Sequence, residues 1–165
     1  MRNISDLTYK VVAISEVHNY DHNEFVDWAL EMVFLGYESP SLLILAGLPK
    51  PTNYFQTIEY LKKALAELNL QIKVGDSAVL SYCSYFIKRI SKADNIKENL
   101  KELYKFCQSH NYEQLVYDFY LLYWAWDDID YGNEYTAYWE NATKQNIEEI
   151  VLETSRKWIH ENEKH

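Results

Sequence analysis

Apolar residues recur at helical spacing along most of the chain from residue 21 onward, and residues typical of helix ends punctuate them. Asp21 and Glu24 have the form of a capping box ahead of Phe25, Trp28, Ala29, Met32 and Leu35, and Gly36 suits the left-handed stop. Ser39-Pro40 predicts the start of a second, short helix ended by Gly47. Its SLLILA run is apolar on every side, which predicts burial. Beyond the stiff Pro49-Lys50-Pro51 connector, Thr52 or Asn53 caps a third helix. Phe55, Ile58, Leu61, Leu65 and Leu68 form its inner face, and Asn69 is its stop.

Gly75-Asp76-Ser77 opens a fourth helix through Val79, Leu80, Cys83, Phe86, Ile87 and Ile90. A fifth is predicted from about Asp94 to Ser109, with Ile96, Leu100, Leu103 and Cys107 inward. A sixth runs from Tyr112 to about Tyr131 and stops at Gly132. The seventh carries Ile147, Ile150, Val151, Thr154 and Trp158 on one seam, with an interruption expected near Asn141. Residues 1–20 are ambiguous. Leu7, Val11, Ile14 and Val17 have helical spacing, whereas the β-branched Val11, Val12 and Ile14 suit a strand; a helix is the reading adopted. The expected fold is all-α, one domain over 1–165, a bundle or array of about six or seven helices joined by short turns.

Composition narrows the function classes. Among 165 residues, 48% are hydrophobic and only 4 are Gly and 3 Pro, which excludes disordered and collagen-like chains. Two cysteines cannot build a disulfide framework and point to a reducing compartment. A net charge of −9 argues against nucleic acid as partner. The first residues have no signal-peptide core, and the longest apolar stretch, Ser41 to Leu48, falls far short of the roughly 20 residues a membrane span needs. A cytoplasmic location is expected.

The charge is unevenly placed. Residues 1–40 carry seven acids and two bases, and residues 41–110 carry six acids and ten bases. Residues 111–150 carry nine acids and the single base Lys144. That acidic segment is also rich in Tyr and Trp. On a helical wheel Leu115, Phe119, Leu122, Trp126 and Ile129 form a core stripe, and Tyr117, Tyr120, Trp124, Asp128 and Tyr131 lie opposite. Asp127, Asp128 and Asp130 oppose the helix macrodipole at about 0.3–1 kcal/mol each, so fold stability alone does not ask for them there. A docking surface for a basic protein partner is therefore predicted at Tyr117, Tyr120, Trp124, Asp127, Asp128, Asp130, Tyr131 and Glu134, with rings as anchors and carboxylates steering the encounter.

Two other readings use the same segment. Residues 112–139 can be taken as lining a small-ligand or metal pocket of a binding protein or enzyme, or as burying the aromatic face in a homodimer. The aspartates lack the spacing of a calcium loop and of prenyl-transferase aspartate motifs. His18 and His22 lack the glutamate of a metalloprotease helix, Asn19 standing in its place. Cys83 and Cys107 fall on apolar stripes, and no nucleophile elbow or phosphate-cradling loop is present. No catalytic residue, metal or cofactor is assigned. Lys97, Lys101 and Lys105, at i, i+4 and i+8, read as a solvated face or an internal counterweight to the acidic segment.

The stretch from Leu35-Gly36-Tyr37-Glu38-Ser39-Pro40 through Leu45-Ala46-Gly47-Leu48, Asn53-Tyr54-Phe55 and Ala64-Leu65-Ala66-Glu67-Leu68 resembles a family of small acidic helical bacterial proteins. The resemblance is most specific over residues 35–70, extends loosely to Trp158, and carries over no catalytic residue. It implies a cytoplasmic helical protein. Immunity partners of bacterial toxins share this size and acidity, which gives the docking reading its form.

Overall fold

The computed structural model describes residues 2–18, 20–111 and 113–163; the proposed helix start at Tyr112 lies outside the described residues. The protein is all-α, with eight α-helices and no strand among the described residues. The chain forms two compact units, Met1–Tyr85 and Phe86–His165.

The first unit holds α1 (Thr8–Val11), α2 (Asn23–Phe34), α3 (Pro40–Ala46), α4 (Tyr54–Glu67) and the first part of α5 (Gly75–Ser91). Phe25, Trp28, Met32, Leu42, Leu45, Leu61 and Leu65 build its core. At the ambiguous N-terminus the helix shrinks to one turn, and residues 12–16 continue as turns. Val11, Val12 and Val17 still reach the interior, because a compact turn buries β-branched side chains without extending a helix.

Three local expectations are corrected here. The capping box at Asp21 does not form: His22 is the N-cap, Asp21 Oδ1 accepts from Asn23 N–H at 3.0 Å, and Glu24 pairs with the buried Lys10 at 2.6 Å. A buried ammonium needs that carboxylate more than an exposed backbone N–H does. In α3, Leu42 and Leu45 are buried, but Leu43 and Ile44 are nearly half-exposed, because α2 and α4 cover only part of the helix. Phe55 is 87% exposed: it lies in the first turn of α4, and Thr57, Leu61, Ala64 and Leu65 take the inner face.

Several boundaries match the sequence signals closely. Ser39 Oγ accepts from Leu42 N–H at 3.3 Å, and Asn53 Oδ1 accepts from Gln56 N–H at 3.1 Å. A cap with no local signature completes α3: Glu67, at the far end of α4, accepts from Ser41 N–H at 3.0 Å. That bond, before any other cause, holds the Glu67 carboxyl below its ordinary range, so its stabilisation is present at neutral pH and fades on acidification.

The second unit holds the rest of α5, α6 (Ile96–Ser109), α7 (Tyr117–Asp130) and α8 (Ile147–Asn162). Leu100, Leu103, Phe119, Leu122, Ala125, Val151 and Trp158 are buried in it. The indole of Trp158 ties α8 to the turn before α7, donating to the Leu115 carbonyl at 2.9 Å.

α5 ends with a left-handed residue that is not glycine. Ala93 has φ +58°, while its N–H donates to Ile90 and the following Asp94 N–H to Arg89, closing a Schellman cap. The left-handed region costs an L-residue about 1–2 kcal/mol, of which glycine's greater freedom in the unfolded chain returns about 0.5–1. Ala93→Gly is therefore expected to raise the unfolding free energy by about 0.5–1 kcal/mol, read as a higher urea midpoint at unchanged slope.

Candidate functional site

The acidic, aromatic segment begins one turn later than predicted. Gln114–Val116 form a 3-10 turn, whose first N–H groups include Leu115 N–H donating to Glu113 Oε1 at 3.2 Å, and α7 starts at Tyr117. Phe119, Leu122, Ala125 and Ile129 face the core. Trp126, expected in that stripe, is only half-buried, and Lys97 Nζ lies 5.0 Å from its ring centre. Trp126 lies at the margin of the core stripe on the side turned toward α6, where it lines a cleft with Lys97 and Lys101 instead of entering the interior.

The opposite face forms an aromatic ladder. Tyr104 of α6 stacks on Tyr123 with centroids 4.1 Å apart and planes 14° apart, and its other neighbours include Tyr120 at 5.5 Å. Tyr117 stacks on Tyr120 at 5.5 Å, and Trp124 meets Tyr104 edge-on at 5.5 Å. Tyr117, Tyr120 and Trp124 are all half-buried. They are neither swallowed by the core nor freely presented: each leans on other rings of the same unit, an arrangement that favours both packing and a shaped, rigid surface.

The aspartates at the end of α7 divide their tasks. Asp130 pairs with Lys97 at 2.8 Å, so the lysine face of α6 does supply an internal counterion. Lys97, Lys101 and Lys105 line a cleft of about 380 Å³ with Tyr123, Trp126 and Asp127. Asp128 accepts from the Thr136 hydroxyl at 2.9 Å, and Thr136 Oγ1 accepts in turn from Tyr138 N–H at 3.1 Å. This chain of bonds folds the loop after α7 back, placing the Tyr138 ring 6.2 Å from Trp124. Asp127 and Glu134 have no ion-pair partner among the described residues.

Gly132, at φ +98°, closes α7 with a second Schellman cap: Asn133 N–H donates to Asp128 and Gly132 N–H to Ile129. The chain then leaves the helix with Tyr131 84% exposed and Tyr135 75% exposed, the most open of the segment's described tyrosines, flanked by Asp130 and Glu134. Tyr135 and Tyr138 are absent from the residues predicted as the site. The signal was present, in an aromatic loop just past a helix stop, but the helical wheel that organised the prediction has no meaning beyond Gly132.

Of the predicted residues, the structure thus groups Tyr117, Tyr120 and Trp124 in the ladder, and Asp128, Asp130, Tyr131 and Glu134 around the helix end, with Asp127 at the cleft. Among the described residues no three His, Cys, Asp or Glu side chains converge as a metal site. Cys107 is buried, and desolvation pushes its thiol up to about 11, which leaves it protonated and unreactive at neutral pH. No helix among the described residues is long and apolar enough to cross a membrane. Comparison with protein-family models, with curated proteins and with solved structures gives no match for this chain.

Proposed function

We propose that this chain is a non-enzymatic protein-binding module of the immunity type, acting in the cytoplasm and covering a basic site on a protein partner such as a toxin. The observation that carries the reading is the exposure of Tyr131 and Tyr135 beside Asp130 and Glu134 at the end of α7, the helix that also carries Trp124 of the Tyr104–Trp124 ladder. Tyrosine supplies large contact area with little side-chain entropy to lose, and unpaired carboxylates steer a cationic surface into register. Asp127 and Glu134 are the steering groups, since Asp128 and Asp130 already hold Thr136 and Lys97. Tyr117, Tyr120 and Trp124 lie further along the same face of α7 and offer their outer edges.

The test is affinity capture from a cell extract at several salt concentrations, with three baits. The native chain and a Phe34→Ala control, altered at an 87% exposed residue of the first unit, are expected to retain the same basic protein. Asp127→Lys combined with Glu134→Lys is expected to lose it, and with the purified partner to slow association about tenfold and flatten its dependence on salt. Retention of the same proteins by the charge-reversed bait, or loss through Phe34→Ala alone, would place the docking surface elsewhere.

A further inference from the structure

We infer that a pocket in the first unit, at His18, His22, Tyr54, Ile58 and Lys62, binds a small monocarboxylate carried on an apolar or aromatic body. This site is separate from the docking reading and does not depend on it. The pocket has a volume of about 360 Å³, within the range of small-molecule sites, and Ile14, Val17, Phe25, Ile58 and Ile72 give it apolar walls.

Its polar lining is unusual for so acidic a chain. The protein carries 25 acidic side chains against 16 basic ones, yet among the described residues no Asp or Glu lines this pocket, and Lys62, His18 and His22 do. Lys62 has no ion-pair partner among the described residues. The imidazole of His22 lies between two rings, 5.5 Å from Phe25 and 5.7 Å from Tyr54, and neither of its nitrogens has a partner among the described residues. Its Nδ1 is buried and unsatisfied, while Nε2 is the accessible nitrogen.

A buried donor is left unpaired more rarely than a buried acceptor, so the favoured tautomer keeps Nδ1 bare and puts the hydrogen on Nε2. The pocket then presents one N–H from His22 and one ammonium from Lys62 over an apolar cradle, with the imidazole of His18 at its edge. The first two match the two oxygens and single charge of a carboxylate. A dianionic phosphate would find only one fixed positive charge there.

The inference is tested by titrating the full chain with phenylacetate, indole-3-acetate and isovalerate, with phenylacetamide as the neutral isostere of the first. Backbone amide shifts and the melting temperature are the readouts. At least one carboxylate is expected to saturate, with shift changes centred on His22, Ile58 and Ile72, and phenylacetamide to bind at least about tenfold more weakly than phenylacetate. Lys62 is exposed, so Lys62→Gln should leave the fold intact while weakening the carboxylate about tenfold and sparing the amide. No saturation by any of the three acids would overturn the site. Equal binding of phenylacetate and phenylacetamide, or an affinity unchanged by Lys62→Gln, would overturn its anion specificity.

Discussion

Replacing Trp28 by alanine is expected to lower the unfolding free energy of the first unit by about 3–5 kcal/mol, the largest stability change anticipated for a single substitution there. Trp28 is fully buried in α2 within the main apolar cluster, on the helix that packs against α1. Its indole N–H also donates to Thr8 Oγ1 at 2.9 Å, and the Thr8 hydroxyl lies against the Met32 sulfur. One side chain thus ties the single-turn α1 to α2 both by packing and by a buried polar bond.

Urea unfolding followed by circular dichroism should show a lower midpoint for Trp28→Ala. If that variant fails to fold, Trp28→Phe separates the two contributions. It keeps most of the ring volume and leaves the Thr8 hydroxyl without its donor, for an expected loss of about 1–3 kcal/mol. A loss under about 1 kcal/mol in Trp28→Ala would show that the core collapses around the gap.

Removing both open tyrosines, Tyr131→Ala with Tyr135→Ala, is expected to weaken partner binding by roughly several hundredfold while leaving the melting temperature nearly unchanged. Interface tyrosines at the centre of a contact are worth about 2 kcal/mol or more each, and about 1.4 kcal/mol is a factor of ten. At 84% and 75% exposure neither ring contributes much to the fold, and surface substitutions of that kind fall within about 0.5 kcal/mol. The contrast is Tyr104→Ala, which removes the central ring of the ladder and should lower stability as well as binding. Affinity measured by calorimetry against the captured partner, together with melting curves, distinguishes the two. Undiminished affinity in the double variant would remove the tyrosines from the interface.

Helices with a wide apolar stripe and recognisable ends were readable from the residues themselves. Ser39 and Asn53 cap where their side chains suggest, and Gly36, Asn69 and Gly132 all adopt left-handed backbone at helix stops. These signals are local: a cap or a stop is satisfied within four or five residues, so it survives whatever the remainder of the chain does. The same locality explains the failures. Asp21 and Glu24 match a capping box, but Lys10, fourteen residues before Glu24, takes its carboxylate. Trp126 fits the inner stripe by angle, but its ring lies by Lys97 in the cleft beside α6 and stays half-buried.

The candidate docking site divides in the same way. Residue order alone establishes that rings and carboxylates concentrate after residue 111, that lysines concentrate before it, and that the chain is helical. Which of those groups are spent inside the fold was decided only by tertiary structure. Asp130 meets Lys97, Asp128 meets Thr136, and Tyr104 stacks on Tyr120 and Tyr123 and meets Trp124 edge-on, leaving Tyr131, Tyr135 and Glu134 exposed and the half-buried Asp127 without an ion-pair partner among the described residues. The physical reason is that a charge or a ring is satisfied by whichever neighbour comes within a few ångströms. Composition fixes how many such groups exist, whereas only the packing of helices distant in sequence fixes which of them meet.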